Sequence, residues 1–594
     1  VSLWTQGVAW CLGLLACLAA MVWQVGQWDQ DFATFQFLLL IVAPIIWMIE
    51  RRRSNVEASP SSQTAENSYA AWLAILVGLT SLLTCILVGF GMEDLPPAYH
   101  DEYSYLFQAK TLLRGAFSVP SHPTHPELFD QMHVLNEGRM ASRYYPGTGL
   151  WLAPFVALGH PYWGHWLASA IASYFVFWTG FELGKLRVAA VSGISCALSP
   201  GIALFGNLLL AHQPTLASLC VFIWAFVKWQ RTRDLQDALI AGCGLSYAML
   251  CRPMTAAGIG LPFGIVFLYW LVFGRDNDRP LTLLRRFRAL IALGLPLILG
   301  WSVMLAYHKE VTGNWRTSPY QLYTDLYTPR HIYGFNNVLR GEQKLGPKVI
   351  DAYDRWAENL TPELALENAF NRWLCSWIWT FDLLPILLST VVVVGTIHRV
   401  DRRWITIGFS IVSLHLVHIP YWYHGIMGWH YVFETAPLWC LCLGLATDLL
   451  FESWRISGRW VMPIWWSFLL MTSLAGDYFP FDKTSLPIKD LPRISSGASS
   501  IYFPRSQYAK FDRWLNASVK NRPALILIEV DPSEKDVDYI TNSPLLNDVI
   551  LRARYRPGIT DVNEIVNAFP DRTILICNPR RETLQLVAQP DSPR

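Results

Sequence analysis

The chain has 594 residues, of which 53% are hydrophobic and only 15% charged, with 28 Trp and 30 Phe. Soluble proteins carry about a quarter charged residues, so the deficit excludes a disordered, fibrous or ordinary cytosolic chain and points to a surface solvated largely by something other than water. The formal net charge is +2 and the basic residues stand in short clusters between apolar runs, which excludes nucleic acid as a partner. Most cysteines lie inside apolar runs, without a CxxC pair or a ligand-spaced Cys/His array, and read as packing residues.

Apolar runs near 8–26, 33–49, 70–91, 161–182, 188–206, 209–227, 237–252, 256–274, 289–307, 373–396, 404–422, 431–451 and 459–475 approach the length a helix needs to cross a bilayer. They predict a polytopic α-helical membrane protein with about 13 transmembrane helices. No positive residue precedes the first run and a second follows at once, which argues against a cleavable leader.

Basic clusters at Arg51 to Arg53, Lys185 and Arg187, Lys228 with Arg231 and Arg233, Arg285 with Arg286 and Arg288, Arg399 with Arg402 and Arg403, and Arg455 with Arg459 fall on alternate connections. Such residues retard translocation of short loops, so that side is predicted to be cytoplasmic, with the N-terminus inside. The expected organisation is two N-terminal helices and a cytoplasmic loop over 1–69, a membrane core over 70–475 with external loops 92–160 and 308–372, and an extracytoplasmic domain over 476–594.

The first external loop opens with PPAYHDEYSYLFQAKTLLRG (96–115). Tyr105, Leu106, Ala109, Leu112 and Leu113 recur at helical spacing, predicting an amphipathic helix on the membrane face with Asp101 and Glu102 at its start. The acidic pair suits either proton transfer or a helix cap. Further on, His122, His125 and His133 are too irregularly spaced for a metal site and read as solvated loop histidines. In SRYYPGTG, Arg143 stands beside Tyr144 and Tyr145 just before an apolar run, where a guanidinium either grips a lipid phosphate or snorkels within an aromatic belt.

Three further polar residues sit at predicted outer helix ends. Arg252 is followed by Pro253 and either snorkels or contacts phosphate; His212 in LLLAHQPTL is a capping histidine or a phosphate donor; Glu434 either bonds a neighbour or touches substrate. In the tail, PALILIEV (523–530) and RTILICN (572–578) read as buried strands and SQYAKFDRWLNASVK (506–520) as a helix, giving a small α/β domain. Neither strand leads into a glycine-rich phosphate loop.

The segments HDEYSYLFQAKTLLRG and SRYYPGTGLWLAPF resemble the first periplasmic loop of membrane glycosyltransferases of the GT-C superfamily, and are most similar to bacterial relatives of protein O-mannosyltransferases and aminoarabinose transferases. CRPMTAAGIGLPF (251–263), YHKEVTGNWRTSPYQLYTDLY (307–327) and GWHYVFETAPLW (428–439) extend the resemblance over about residues 70–475. The resemblance implies a polyprenyl-phosphate-linked sugar as donor, an external acceptor and a loop-one aspartate as catalytic base. Asp101 takes that position, with Glu102 next to it. Arg143 falls where relatives carry Lys or Arg ahead of a YPPG-like turn, although Tyr145 replaces the first proline. His430 stands where a PRYYFE-like segment has Arg.

The expected function is therefore transfer of a sugar, with inversion, from a polyprenyl phosphate to a lipid, glycan or protein outside the cytoplasm of a bacterial inner (plasma) membrane. Asp101 and Glu102 are the candidate catalytic carboxylates. Arg143, Arg252, His430 and His212 are candidate phosphate contacts, and Tyr105, Tyr144, Tyr145 and Glu434 candidate substrate contacts. A carboxylate pair beside phosphate would suit a divalent cation, Mg or Mn, although no ligand set is visible. A transporter or flippase of envelope lipids or glycans is the alternative, disfavoured because the charges gather at helix ends and loops rather than in mid-span. A membrane receptor would leave the acidic pair without a role.

Overall fold

The computed structural model describes residues 60–91, 96–276, 279–381, 383–453, 494–520, 522–529, 531 and 536–590. The apolar runs at 8–26, 33–49 and 459–475, with the basic clusters beside them, lie outside the described residues.

Within those limits the molecule is mostly helical. Four helical stretches, Ser68–Phe90, Pro253–Phe273, Leu283–Thr312 and Ile426–Glu452, are long and apolar enough to cross a membrane, and Pro362–Phe381 with Pro385–Gly395 forms a pair bent by 106° that makes a fifth. Among the described residues, fewer of the remaining runs than predicted are long and apolar enough to cross, because turn residues and polar ends shorten several. The run at 188–206 divides into Leu186–Ala197 and Pro200–Phe205: Pro200 occupies the first helical turn and the Ser199 hydroxyl caps the Ile202 amide. The runs at 237–252 and 404–422 form helices of 17 and 16 residues.

Ile426–Glu452 is 94% buried over its apolar window, whereas Leu283–Thr312 is only 22% buried and turns Leu295, Ile298, Leu299 and Trp301 outward. The first is the centre of the bundle and the second its rim, where exposed apolar side chains require a hydrocarbon solvent. At one end the ion pairs Arg231–Glu182 and Lys185–Glu452 tie helix termini together. Glu182 ends the 22-residue helix Tyr162–Leu183, whose other end, Tyr162, bonds Arg505 of the tail, so the basic end and the tail are separated by about 33 Å of helix.

We label helix α1 (His100–Leu112), the helix of the first loop; α2 (Leu235–Cys251) and α3 (Pro253–Phe273), which Arg252 separates; α4 (Pro319–Tyr327) of the second loop; and α5 (Ile494–Ser518) of the tail. The tail sheet has strands β1 (Ala524–Glu529), β2 (Ile550–Tyr555), β3 (Thr573–Asn578) and β4 (Thr583–Ala588), ordered β2-β1-β3-β4, with β4 antiparallel and the rest parallel. Successive side chains of β1 point to opposite faces. Leu525 and Leu527 enter a core with Phe107, Phe129 and Met140 of the first loop, while Ala524, Ile526 and Ile528 pack on Phe511 and Leu515 of α5.

The tail is thus built onto the first loop and not merely tethered to it. α1, expected to lie on the membrane face, is instead enclosed: Glu102, Ser104, Tyr105, Phe107, Gln108 and Ala109 are all buried.

Candidate active site

Asp101 sits in the first turn of α1, its side chain 28% exposed at the bottom of an aromatic recess. The Tyr144 hydroxyl donates to Oδ1, and Tyr144 is held in place by stacking on Tyr105, ring centroids 4.4 Å apart. Oδ2 has no side-chain partner among the described residues and is the oxygen available to an incoming group. Burial pushes the Asp101 carboxyl up to about 6, against the pull of the Arg143 guanidinium.

Arg143, read from the sequence as gripping a lipid phosphate or snorkelling within an aromatic belt, is buried within the protein. It is 4% exposed, lies 4.0 Å from the Tyr320 ring centroid and 4.5 Å from that of Tyr323, and donates to Thr324 Oγ1 at 3.1 Å. Tyr320, Tyr323 and Thr324 all come from α4, so the second loop closes over the first. The other terminal nitrogen of Arg143 faces His133 Nδ1 at 3.2 Å. His133, read from the sequence as a solvated loop residue, is 1% exposed and sits with Nε2 3.4 Å from Asp101 Oδ1.

Glu102 points the other way. Its Oε1 accepts the Ala98 and Tyr99 amides at 2.8 and 3.0 Å, and its Oε2 accepts the Leu209 amide at 2.7 Å. It caps α1 and pins it to the segment before His212, with both oxygens occupied, so the acidic pair divides into one open and one structural carboxylate. Asp101 and Glu102 thus meet different partners and do not converge on one point. No group of three His, Cys, Asp or Glu suited to a metal occurs among the described residues.

The second charged cluster surrounds the break between α2 and α3. Arg252 ends α2 with its amide on the Ala248 carbonyl, and Pro253 starts α3 where no amide is needed. Its guanidinium donates to Glu434 Oε1 at 2.7 Å and to the His430 carbonyl at 3.2 Å, and abuts His212 Nδ1. The His212 and His430 rings are 5.1 Å apart. Arg252, His212, His430 and Glu434 are therefore one assembly, with Glu434 as its counter-ion. Gly147 of the PGTG turn allows the close approach here: a Cβ on it would lie 2.7 Å from the Leu250 carbonyl carbon and from Cys251 Sγ.

Tyr105 links the two clusters, lying within electrostatic range of both Asp101 and Arg252. On the other side Tyr423 senses Asp101 and packs 6.1 Å from the His430 ring. The loop carrying Tyr423 is fixed by Arg372, which is 1% exposed and donates to the Tyr421 and Tyr423 carbonyls at 2.9 and 2.6 Å. Tyr145 turns aside toward His308, ring centroids 6.2 Å apart. Sequence reasoning missed His133, Tyr320, Tyr323 and Arg372. The spacing of Tyr320, Tyr323 and Tyr327 on one helical face was a legible signal; the buried Arg372 among backbone carbonyls was not.

Next to this region a cleft of about 1380 Å³ opens between the first loop, the second loop and the tail, with Gln131, Met132, Tyr327, Lys348, Trp514 and Arg554 among its walls.

No family model matches the sequence, and no curated protein does. Among solved structures, apo ArnT from Cupriavidus metallidurans is similar at 10% identity, over 87% of this chain and 93% of that one, with a TM-score of 0.49. The same protein bound to undecaprenyl phosphate gives 10% identity, 87% and 94% coverage and a TM-score of 0.45. The archaeal oligosaccharyltransferase AglB from Archaeoglobus fulgidus, in complex with an inhibitory peptide and a dolichol-phosphate, gives 9% identity, 77% and 62% coverage and a TM-score of 0.39. Likeness at this level transfers neither fold nor activity, and the functional reading rests on the site's own residues.

Proposed function

We propose that the protein is a membrane glycosyltransferase that moves a sugar from a polyprenyl-phosphate donor to an acceptor hydroxyl or amine, with inversion at the sugar carbon. The observation that carries this reading is the pairing of one open carboxylate, Asp101, with a separate cationic assembly around Arg252, both within electrostatic range of Tyr105. Inverting transfer needs a base on the acceptor side and positive charge or donors on the departing phosphate, at opposite ends of the reacting bond.

In this reading the donor's lipid chain lies in hydrocarbon beside the bundle and its phosphate meets Arg252, with His212 and His430 adding ring nitrogens and Glu434 orienting the guanidinium. Asp101 Oδ2 takes the proton as the acceptor oxygen or nitrogen attacks the sugar carbon and the phosphate leaves with the bonding pair. Arg143 supports the ionised carboxylate from behind, and the cleft beside Met132 is the acceptor's approach. The loops and tail are extracytoplasmic, the basic helix ends cytoplasmic, and the membrane is the bacterial inner membrane. The transporter reading has less support, because the ionisable clusters stand at helix breaks and loop edges.

The test compares polyprenyl-phosphate sugars and envelope glycans by mass spectrometry in cells lacking the protein and cells supplied with the parent or Asp101→Asn chain. One lipid-linked sugar should accumulate and one glycan lose a residue unless the parent is present. Unchanged pools in both would exclude the transferase reading.

A further inference from the structure

We infer that His133 is a positioning residue for Asp101: Arg143 fixes the proton of His133 on Nε2, and that N–H holds the Asp101 carboxylate with Oδ2 turned toward the acceptor. This rests on the reading of Asp101 as the base.

Hydrogen-bonding capacity sets the tautomer of His133. A guanidinium only donates, so the contact of Arg143 Nη1 with His133 Nδ1 at 3.2 Å makes Nδ1 an acceptor. A neutral imidazole carries one proton, which is then on Nε2, the nitrogen 3.4 Å from Asp101 Oδ1. Burial, reinforced by Arg143 and His100, holds His133 well below its ordinary value, so the ring is neutral. A contact of 3.4 Å is long for a hydrogen bond, as such contacts commonly are before substrate tightens them. The Tyr353 hydroxyl also lies 3.5 Å from Nε2, so the Nε2 proton is shared between it and the Asp101 side; with Tyr144 donating to Oδ1, Oδ2 is left to accept a proton.

The backbone of His133 is an independent sign of a demanding position. Its φ of 61° is left-handed, a region uncommon outside Gly, although Asn, Asp and His enter it more often than other residues. Three groups from separate elements hold it there: its amide donates to Tyr323 Oη at 2.9 Å, and its carbonyl accepts from Ser104 Oγ at 2.6 Å and the Arg143 amide at 3.0 Å. Strain that is over-determined in this way concentrates where a side chain must be aimed. The titratable groups facing Asp101 are Glu102 and Tyr105 on its own helix, Tyr99 just before it, Tyr144, His133 and Arg143 of the first loop, Tyr353 of the second, and Tyr423.

The test is a pH titration of the Asp101 carboxyl by infrared difference spectroscopy on the purified full chain, with the band assigned by its loss in Asp101→Asn. His133→Asn tolerates the left-handed backbone but is too short to reach Asp101; losing a donor to the ionised form should raise the midpoint by about one pH unit. His133→Gln carries an amide N–H of the right reach and should return the midpoint toward the parent. A purely structural His133 would leave the midpoint unchanged in a folded His133→Asn chain, and that result overturns the proposal. Nitrogen NMR of the parent with isotope-labelled histidine needs no variant at 133: the ring whose signals move in Asp101→Asn must be protonated on Nε2, and a proton on Nδ1 also overturns it. Neither measurement uses transfer activity. Loss of orientation with transfer intact would instead count against Asp101 as the base.

Discussion

Asp538 of the tail accepts the backbone N–H of Met132 at 2.8 Å, across 406 residues of chain. The bond fixes the residue immediately before His133, and the same Asp538 oxygen takes Arg554 at 2.7 Å. The Asp538 amide in turn donates to Tyr508 Oη at 2.9 Å, and the Tyr508 ring lies 4.9 Å from that of Tyr103 on α1. The tail therefore holds the first loop at two points, one beside Asp101 on α1 and one beside His133.

Asp538→Ala removes an anion that accepts from the Met132 and Ile540 amides and the Arg554 guanidinium. Leaving the Met132 amide and Arg554 without it should cost about 2 to 4 kcal/mol of stability. Chemical denaturation of the detergent-solubilised chain measures this. A loss below about 0.5 kcal/mol, as for a surface substitution, would mean the tail docks by its apolar face alone.

Asp101→Asn keeps size and removes basicity, so turnover should fall about a hundred- to ten-thousand-fold with donor binding retained. Glu102→Gln should behave differently. Half of its amide is a donor facing backbone N–H groups, so its first effect is lower stability. Assays of transfer and of thermal unfolding on both variants separate the roles; an active Asp101→Asn chain would move the base elsewhere.

The raised Asp101 carboxyl sets a pH dependence with a definite sign. The base works when ionised, so transfer should rise with pH to a plateau above about 6. Stability runs oppositely: a carboxyl raised on folding from 3.8 to about 6 contributes fully below the lower value, and that contribution is lost as the pH climbs through the upper one. Denaturation midpoints across this window should fall more steeply in the parent than in Asp101→Asn. Equal slopes would place the titrating group elsewhere.

Arg252→Ala removes the cation from the assembly with His212, His430 and Glu434. Binding of a sugar-free polyprenyl phosphate should weaken by about 1.5 to 3 kcal/mol. Because the variant also strands the buried Glu434, the comparison is made with Glu434→Gln and with the double variant, whose stability should be closer to the parent's. Phosphate binding undiminished in both Arg252→Ala chains would assign the headgroup to another site.

The sequence by itself determined the class of molecule and where to look within it. Apolar runs and few charges point to a helical membrane protein, and the unbroken apolar run in PALILIEV marks a buried strand of the tail, because these properties are set by local composition and solvent. It also singled out Asp101 and Arg252. What only the tertiary structure decided is the direction of each polar side chain. Asp101 and Glu102 are neighbours of the same chemistry, yet one meets Tyr144 and the other three backbone amides, since adjacent helical positions point about 100° apart. Arg143 and His133 looked like an interfacial cation and a solvated ring. They become a buried pair because α4, about 180 residues away, closes over them with Tyr320, Tyr323 and Thr324. Contacts at that separation leave no local pattern, and burial turns an ordinary Arg–His contact into one that fixes a proton.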